Sequence, residues 1–139
     1  MNTVKTFQKW LLIMLLAVGI TSCITDDNYY GDNYYGDTIY GVTWVGNLGF
    51  AFNGENVESG ITFKQSGYAY DEQYFYDGTR ATTLDLRWWT DSNSLYLDYG
   101  SNYPMLTIRN LYVGSTTMSG DLYVDNTYDG PVTLRAASY

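Results

Sequence analysis

The 139-residue chain contains no histidine, one cysteine and two prolines, and seven cations stand against fifteen acids. Each shortage excludes something. Without histidine the chain lacks the usual general base, the usual activator of a serine or cysteine nucleophile and the commonest metal ligand. With a single cysteine no internal disulfide can form, so the fold must rest on its apolar core. The net charge of −8 opposes phosphate backbones, which makes nucleic acid an unexpected partner despite many aromatic rings able to stack on bases. Also missing are a G-x-S-x-G elbow, a phosphate-binding glycine loop and a run of about 20 apolar residues long enough to span a bilayer. After Tyr40 no window keeps apolar residues at helical spacing, so no substantial helix is expected there. The abundant residues are glycine (14) and tyrosine (16), a mixture that suits strands and tight turns.

The first 22 residues read as a cleaved secretory signal. Lys5 and Lys9 precede the short apolar run WLLIMLLAVGI, followed by Ile20-Thr21-Ser22-Cys23. Loss of this segment removes two cations and no acid, leaving five cations against fifteen acids, a net charge of −10. The Ile-Thr-Ser-Cys ending resembles the lipobox of bacterial lipoproteins. That resemblance implies cleavage before Cys23, a diacylglycerol on its sulfur and a further acyl chain (a palmitate-type modification) on its nitrogen. Two or more chains, at about 0.8 kcal/mol per buried methylene, give stable attachment without a spanning helix. The expected location is the cell outer membrane, in the cell envelope.

Residues 23–39, CITDDNYYGDNYYGDTI, show no hydrophobic periodicity and read as a tether. Asp26-Asp27 resembles the acidic export signal that sends some lipoproteins of Gram-negative gut bacteria to the cell surface; periplasmic retention is the alternative. The spacing of Asp26, Asp27, Asp32 and Asp37 does not match a calcium loop, and no metal or other cofactor is expected.

From residue 40 to 139 the pattern has period 2. Trp44, Gly46, Leu48, Phe50 and Phe52 share a phase, as do Leu84, Leu86 and Trp88; Leu95, Leu97 and Tyr99; Leu106 and Ile108; Met118, Leu122 and Val124; and Val132, Leu134 and Ala136. Turn signals divide the segment into eight strands near 42–53, 59–66, 68–76, 80–90, 94–99, 105–113, 117–125 and 131–137. Short links favour antiparallel neighbours. With no helix to cover the apolar face, an all-β, eight-stranded antiparallel up-and-down barrel is expected, with a β-sandwich as the alternative. Gly41-Val42-Thr43-Trp44 and the late Arg135 resemble the small lipocalin-like (calycin-type) lipoproteins of gut bacteria, a group of unknown function. That resemblance implies a barrel in which a basic residue, here Arg135, packs across Trp44.

Candidate site residues lie on the outer face. Tyr68, Tyr70, Tyr74 and Tyr76 alternate in YAYDEQYFY, with Glu72 among them, as an aromatic platform for a sugar ring or flat ligand or as plain cross-strand packing. Trp88 reads as core and Trp89 as exposed, and Tyr96 and Tyr112 are further aromatics that would extend the platform. Asp71, Glu72, Asp85 and Asp98 read as solvated charge rather than as a hydrolytic carboxylate pair, so no enzyme activity is expected. The resulting expectation is a non-catalytic binding or interaction module. Its partners are the membrane through the lipid, and a glycan, a small apolar ligand at the barrel mouth or an envelope protein.

Overall fold

The computed structural model describes residues 39–137. The signal segment, Cys23 and the tether up to residue 38 lie outside the described residues. The elements from Ile39 on are strands: β1 (Thr43–Gly46), β2 (Ala51–Phe52), β3 (Glu55–Phe63), β4 (Tyr68–Phe75), β5 (Arg80–Asp91), β6 (Ser94–Asp98), β7 (Leu106–Val113), β8 (Thr117–Val124) and β9 (Thr127–Ala136). Consecutive strands from β3 to β9 pair antiparallel, and β1 pairs with both β3 and β9. The result is a closed up-and-down barrel of eight strands, with β2 as an extra two-residue strand on β3. Closure leaves the main wall without a free edge.

Several strand boundaries differ from the sequence expectation, among them the second long strand, β3, which starts at Glu55 rather than 59, and turn chemistry explains the largest shifts. The expected first strand, 42–53, breaks after Gly46, where the Asn47 side chain accepts the Gly49 N–H at 2.7 Å and bends the chain. Asn53 and Gly54 then make a two-residue turn with φ of 51° and 82°, the left-handed pair of a tight hairpin. Asp125-Asn126, at 46° and 65°, do the same, so β9 starts at Thr127 rather than 131.

The inward phase is largely as the alternation predicts. Trp44, Leu86, Trp88, Leu95, Leu97, Ile108, Met118 and Leu134 are all buried in one core. Each large side chain removed from water contributes about 1.5–3 kcal/mol. At the end where the chain enters, Ile39 is buried and its carbonyl accepts the Trp44 Nε1–H at 3.0 Å. Tyr40 and Phe63 meet the Trp88 ring edge-on, with centroids 5.4 and 5.1 Å apart. The Trp88 Nε1–H is shared between the carbonyls of Lys64 and Tyr68, at 3.0 and 3.2 Å. At the other end Phe50, Tyr99 and Tyr103 form an aromatic trio, with Phe50 4.9 Å from Tyr99 and 6.1 Å from Tyr103.

Register is pinned by a bulge. β7 carries two residues, Asn110 and Leu111, opposite the single Gly120 of β8, with Asn110 at φ 52°. A side-chain carbon on Gly120 would stand 2.5 Å from the Arg109 carbonyl oxygen and 2.6 Å from Ile108 Cγ2. The bulge also flips the phase, which is why Ile108 and Leu111 both face the core.

Candidate functional site

β4 has two faces of different chemistry. Tyr68, Tyr70, Glu72 and Tyr74 point outward as expected, and Tyr76 lies beyond the strand, in the turn to β5. The four tyrosines do not form one open platform. The Arg87 guanidinium lies 5.3 Å from the Tyr68 ring and donates to its hydroxyl at 3.2 Å. The Lys64 ammonium lies 5.3 Å from the Tyr70 ring. Both rings therefore already hold cations of this chain. Tyr74 and Tyr76 have no such cover among the described residues. They border an outer-wall cleft of about 320 Å³ that Gly60 also lines.

The inward face of β4 corrects the reading of Asp71 as solvated charge. Ala69, Asp71 and Gln73 are buried, and Asp71 is 0 % exposed. Its Oδ2 accepts from Ser59 Oγ at 2.9 Å, Gln73 Nε2 at 3.0 Å and the Tyr99 hydroxyl at 3.1 Å, while Oδ1 accepts the Gly60 N–H at 3.0 Å. Burial raises the Asp71 carboxyl above the ordinary range, and the hydrogen bonds from Gln73, Ser59, Tyr99 and Gly60 oppose that rise. Tyr99 is held well above the ordinary tyrosine value, first by its burial and then by the charge and hydrogen bond of Asp71. Four donors converging on one carboxylate make a structural knot: it ties β3 to β4 and draws Tyr99, next to β6, into the barrel. No solvent path is needed for that role, and Asp71 offers no surface to a substrate.

Trp89 is 42 % exposed and outward, as expected. Its ring stacks on that of Tyr96, its direct cross-strand partner, with centroids 5.2 Å apart and planes 5° from parallel. Register carries this pair into a longer row. Tyr96 faces Thr107, Thr107 faces Tyr123, and Tyr123 faces Tyr128, so one line crosses β5 to β9. At about 4.8 Å per strand the row spans roughly 19 Å of wall. Thr107 is only 3 % exposed although it alternates with inward Leu106 and Ile108, as expected for a small outward residue between larger rings. Arg109 lies 3.9 Å over the Tyr123 ring and donates to Asn126 at 3.3 Å. Tyr123 and Tyr128 meet edge-on at 5.6 Å. Tyr112, after the bulge, is exposed but lies outside this row.

The expected cap of Trp44 by Arg135 does not form. Arg135 pairs with Val45, so its side chain is on the outer face, whereas Trp44 is fully buried and bonds the Ile39 carbonyl. Asp85 is exposed and Asp98 half-buried, both on the outer wall. Among the described residues no three His, Cys, Asp or Glu side chains gather closely enough to hold a metal ion, and no helix is long and apolar enough to cross a membrane. Compared with protein-family models, curated proteins and solved structures, the chain finds no match.

Proposed function

We propose that the chain is an acylated lipoprotein of the bacterial outer membrane whose barrel is a non-catalytic interaction module, and that it meets an envelope protein through its outer wall. The observation that carries this reading is the Trp89–Tyr96–Tyr123–Tyr128 row. Trp89 and Tyr128, exposed at the two ends of the row, are of the residue types that dominate protein interfaces. Trp89 and Tyr96 spend one ring face each on the other. The pair therefore offers a rigid ridge of edges that a partner groove can grip with little loss of side-chain freedom. The sequence supports the anchor through the lipobox-like ending at Cys23. The lipocalin-like alternative, an apolar ligand at the mouth, has less support because rings and Ile39 stand over the barrel ends.

Site-specific photo-crosslinking tests the reading in the producing cell. A crosslinker at position 128 of the full chain is expected to give a discrete protein adduct that Trp89→Ala and Tyr96→Ala each abolish while the barrel stays folded. An adduct pattern indifferent to both substitutions, or none, would refute it.

A further inference from the structure

Away from the aromatic row, on the part of the wall made by β1, β3 and β4, Gly60 leaves a dent. It faces Val45 of β1 on one side and Glu72 of β4 on the other. Gly60 lines a cleft of about 320 Å³, at the small end of ligand-pocket sizes, about 300–1,000 Å³. The wall is tight at Gly60: a carbon added there would sit 3.3 Å from the Glu72 carbonyl oxygen and 3.6 Å from Thr43 Cγ2.

Two carboxylates border the cleft, and they are not equivalent. Glu72 is engaged by Arg80 at 3.0 Å, and Arg80 also bonds Thr83. Glu58, half-buried and directly opposite Tyr74, has no ion-pair partner among the described residues. The rings are not equivalent either. Elsewhere on the wall Tyr68, Tyr70 and Tyr123 each hold a cation of this chain against the ring. Tyr74 and Tyr76, the two tyrosines at the cleft, hold none among the described residues. An unpaired carboxylate, two uncovered rings and an indentation thus coincide at one place, on a chain whose negative charge draws cations inward.

We propose that the Gly60 cleft binds the ammonium or guanidinium head of an organic cation, with Glu58 as counter-ion and the Tyr74 and Tyr76 rings as cation–π partners. The site completes with an external cation the pairing that the neighbouring tyrosines complete internally. It is independent of the protein-interaction reading above, because it shares no residue with the aromatic row. The head group can come from a free amine or from a lysine or arginine side chain of a peptide.

Titration of the purified full chain, followed by NMR at low salt, separates these sources and tests the site. The probes are agmatine, the peptide acetyl-Gly-Arg-Gly-amide and, as a neutral control, N-acetylglucosamine. At least one cation is expected to bind, more weakly as salt rises, while the sugar does not. Tighter binding of agmatine assigns a free amine, and tighter binding of the peptide assigns a basic side chain. Glu58→Gln keeps the shape and is expected to weaken binding about fivefold; Tyr74→Leu is expected to do the same, whereas Tyr74→Phe keeps the ring face and most of the affinity. Unaltered thermal unfolding of Glu58→Gln separates loss of site from loss of fold. Failure of both cations to bind, preference for the sugar, or equal affinity in Glu58→Gln overturns the proposal.

Discussion

Tyr99→Phe removes one oxygen from the barrel and nothing else of its packing. The ring keeps its contacts with Phe50 and Tyr103. What is lost is the 3.1 Å hydrogen bond to Asp71, one of three on Oδ2. A hydrogen bond to a buried charge contributes about 1.5–3 kcal/mol, more than the roughly 1 kcal/mol of a neutral pair. With a urea m-value of about 2 kcal/mol per molar, the midpoint at neutral pH is expected to fall by about 1 M. The pH dependence has a definite sign. Asp71 titrates higher in the folded chain than in the unfolded one, so its contribution is fully favourable below the unfolded value and is lost as pH rises through the folded value. Removing a donor that favours the ionised form raises the folded value further. The variant therefore regains more stability on acidification than the parent, and the two urea midpoints converge as pH falls through the two folded values, both of which lie above the ordinary carboxylate value. In an Asp71→Asn background the same substitution is expected to cost less than about 1 kcal/mol, because no charge remains to be bonded. Urea unfolding followed by tyrosine and tryptophan fluorescence reads all three quantities. A midpoint shift under about 0.2 M at pH 7, or curves that diverge on acidification, would show that Asp71 does not depend on Tyr99 as argued.

Two further outcomes are expected. Gly120→Ala forces a methyl group against the Arg109 carbonyl, a backbone atom that cannot swing aside, and is expected to cost about 1–3 kcal/mol, lowering the Tm in a calorimetric scan by at least about 4 °C; an unchanged Tm would contradict the register at the bulge. Mass spectrometry of the native chain is expected to find Cys23 as the acylated first residue, with Cys23→Ser losing the modification and sedimenting apart from membranes; an unmodified thiol in the native protein would dismiss the anchor.

Much of the wall was legible because period 2 is a local property. The alternation of Leu84, Leu86 and Trp88 with Asp85, Arg87 and Trp89 predicts which side of β5 meets the core without knowing its neighbours. If Tyr70, Glu72 and Tyr74 face water, then Asp71 and Gln73 must face inward. Tyr99, in phase with buried Leu95 and Leu97, needs a partner for its hydroxyl. The two demands meet at one hydrogen bond. Arg135 could likewise have been set outside by its own strand, since it alternates with Leu134. The aromatic row was not legible, because it depends on five strands being in one particular register. That register is set by tight turns and by a bulge at Asn110, which shifts phase without an apolar signal. The Gly60 dent escaped for a similar reason: what matters there is Val45 and Glu72 standing beside it, and neither is near it in sequence.

The barrel is shut by its first strand meeting its last. β1 touches β9 through only two register pairs, Trp44 with Ala136 and Val45 with Arg135, supported by the Ala137 N–H to the Thr43 carbonyl at 2.8 Å. Some ninety residues separate those partners, so the hairpins from β3 to β9 can assemble by local zipping while the join waits for the most distant contact. The wall therefore stays open along one seam until residues 135–137 reach β1, and a chain clipped before them keeps β1 on β3 but leaves its other side unpaired.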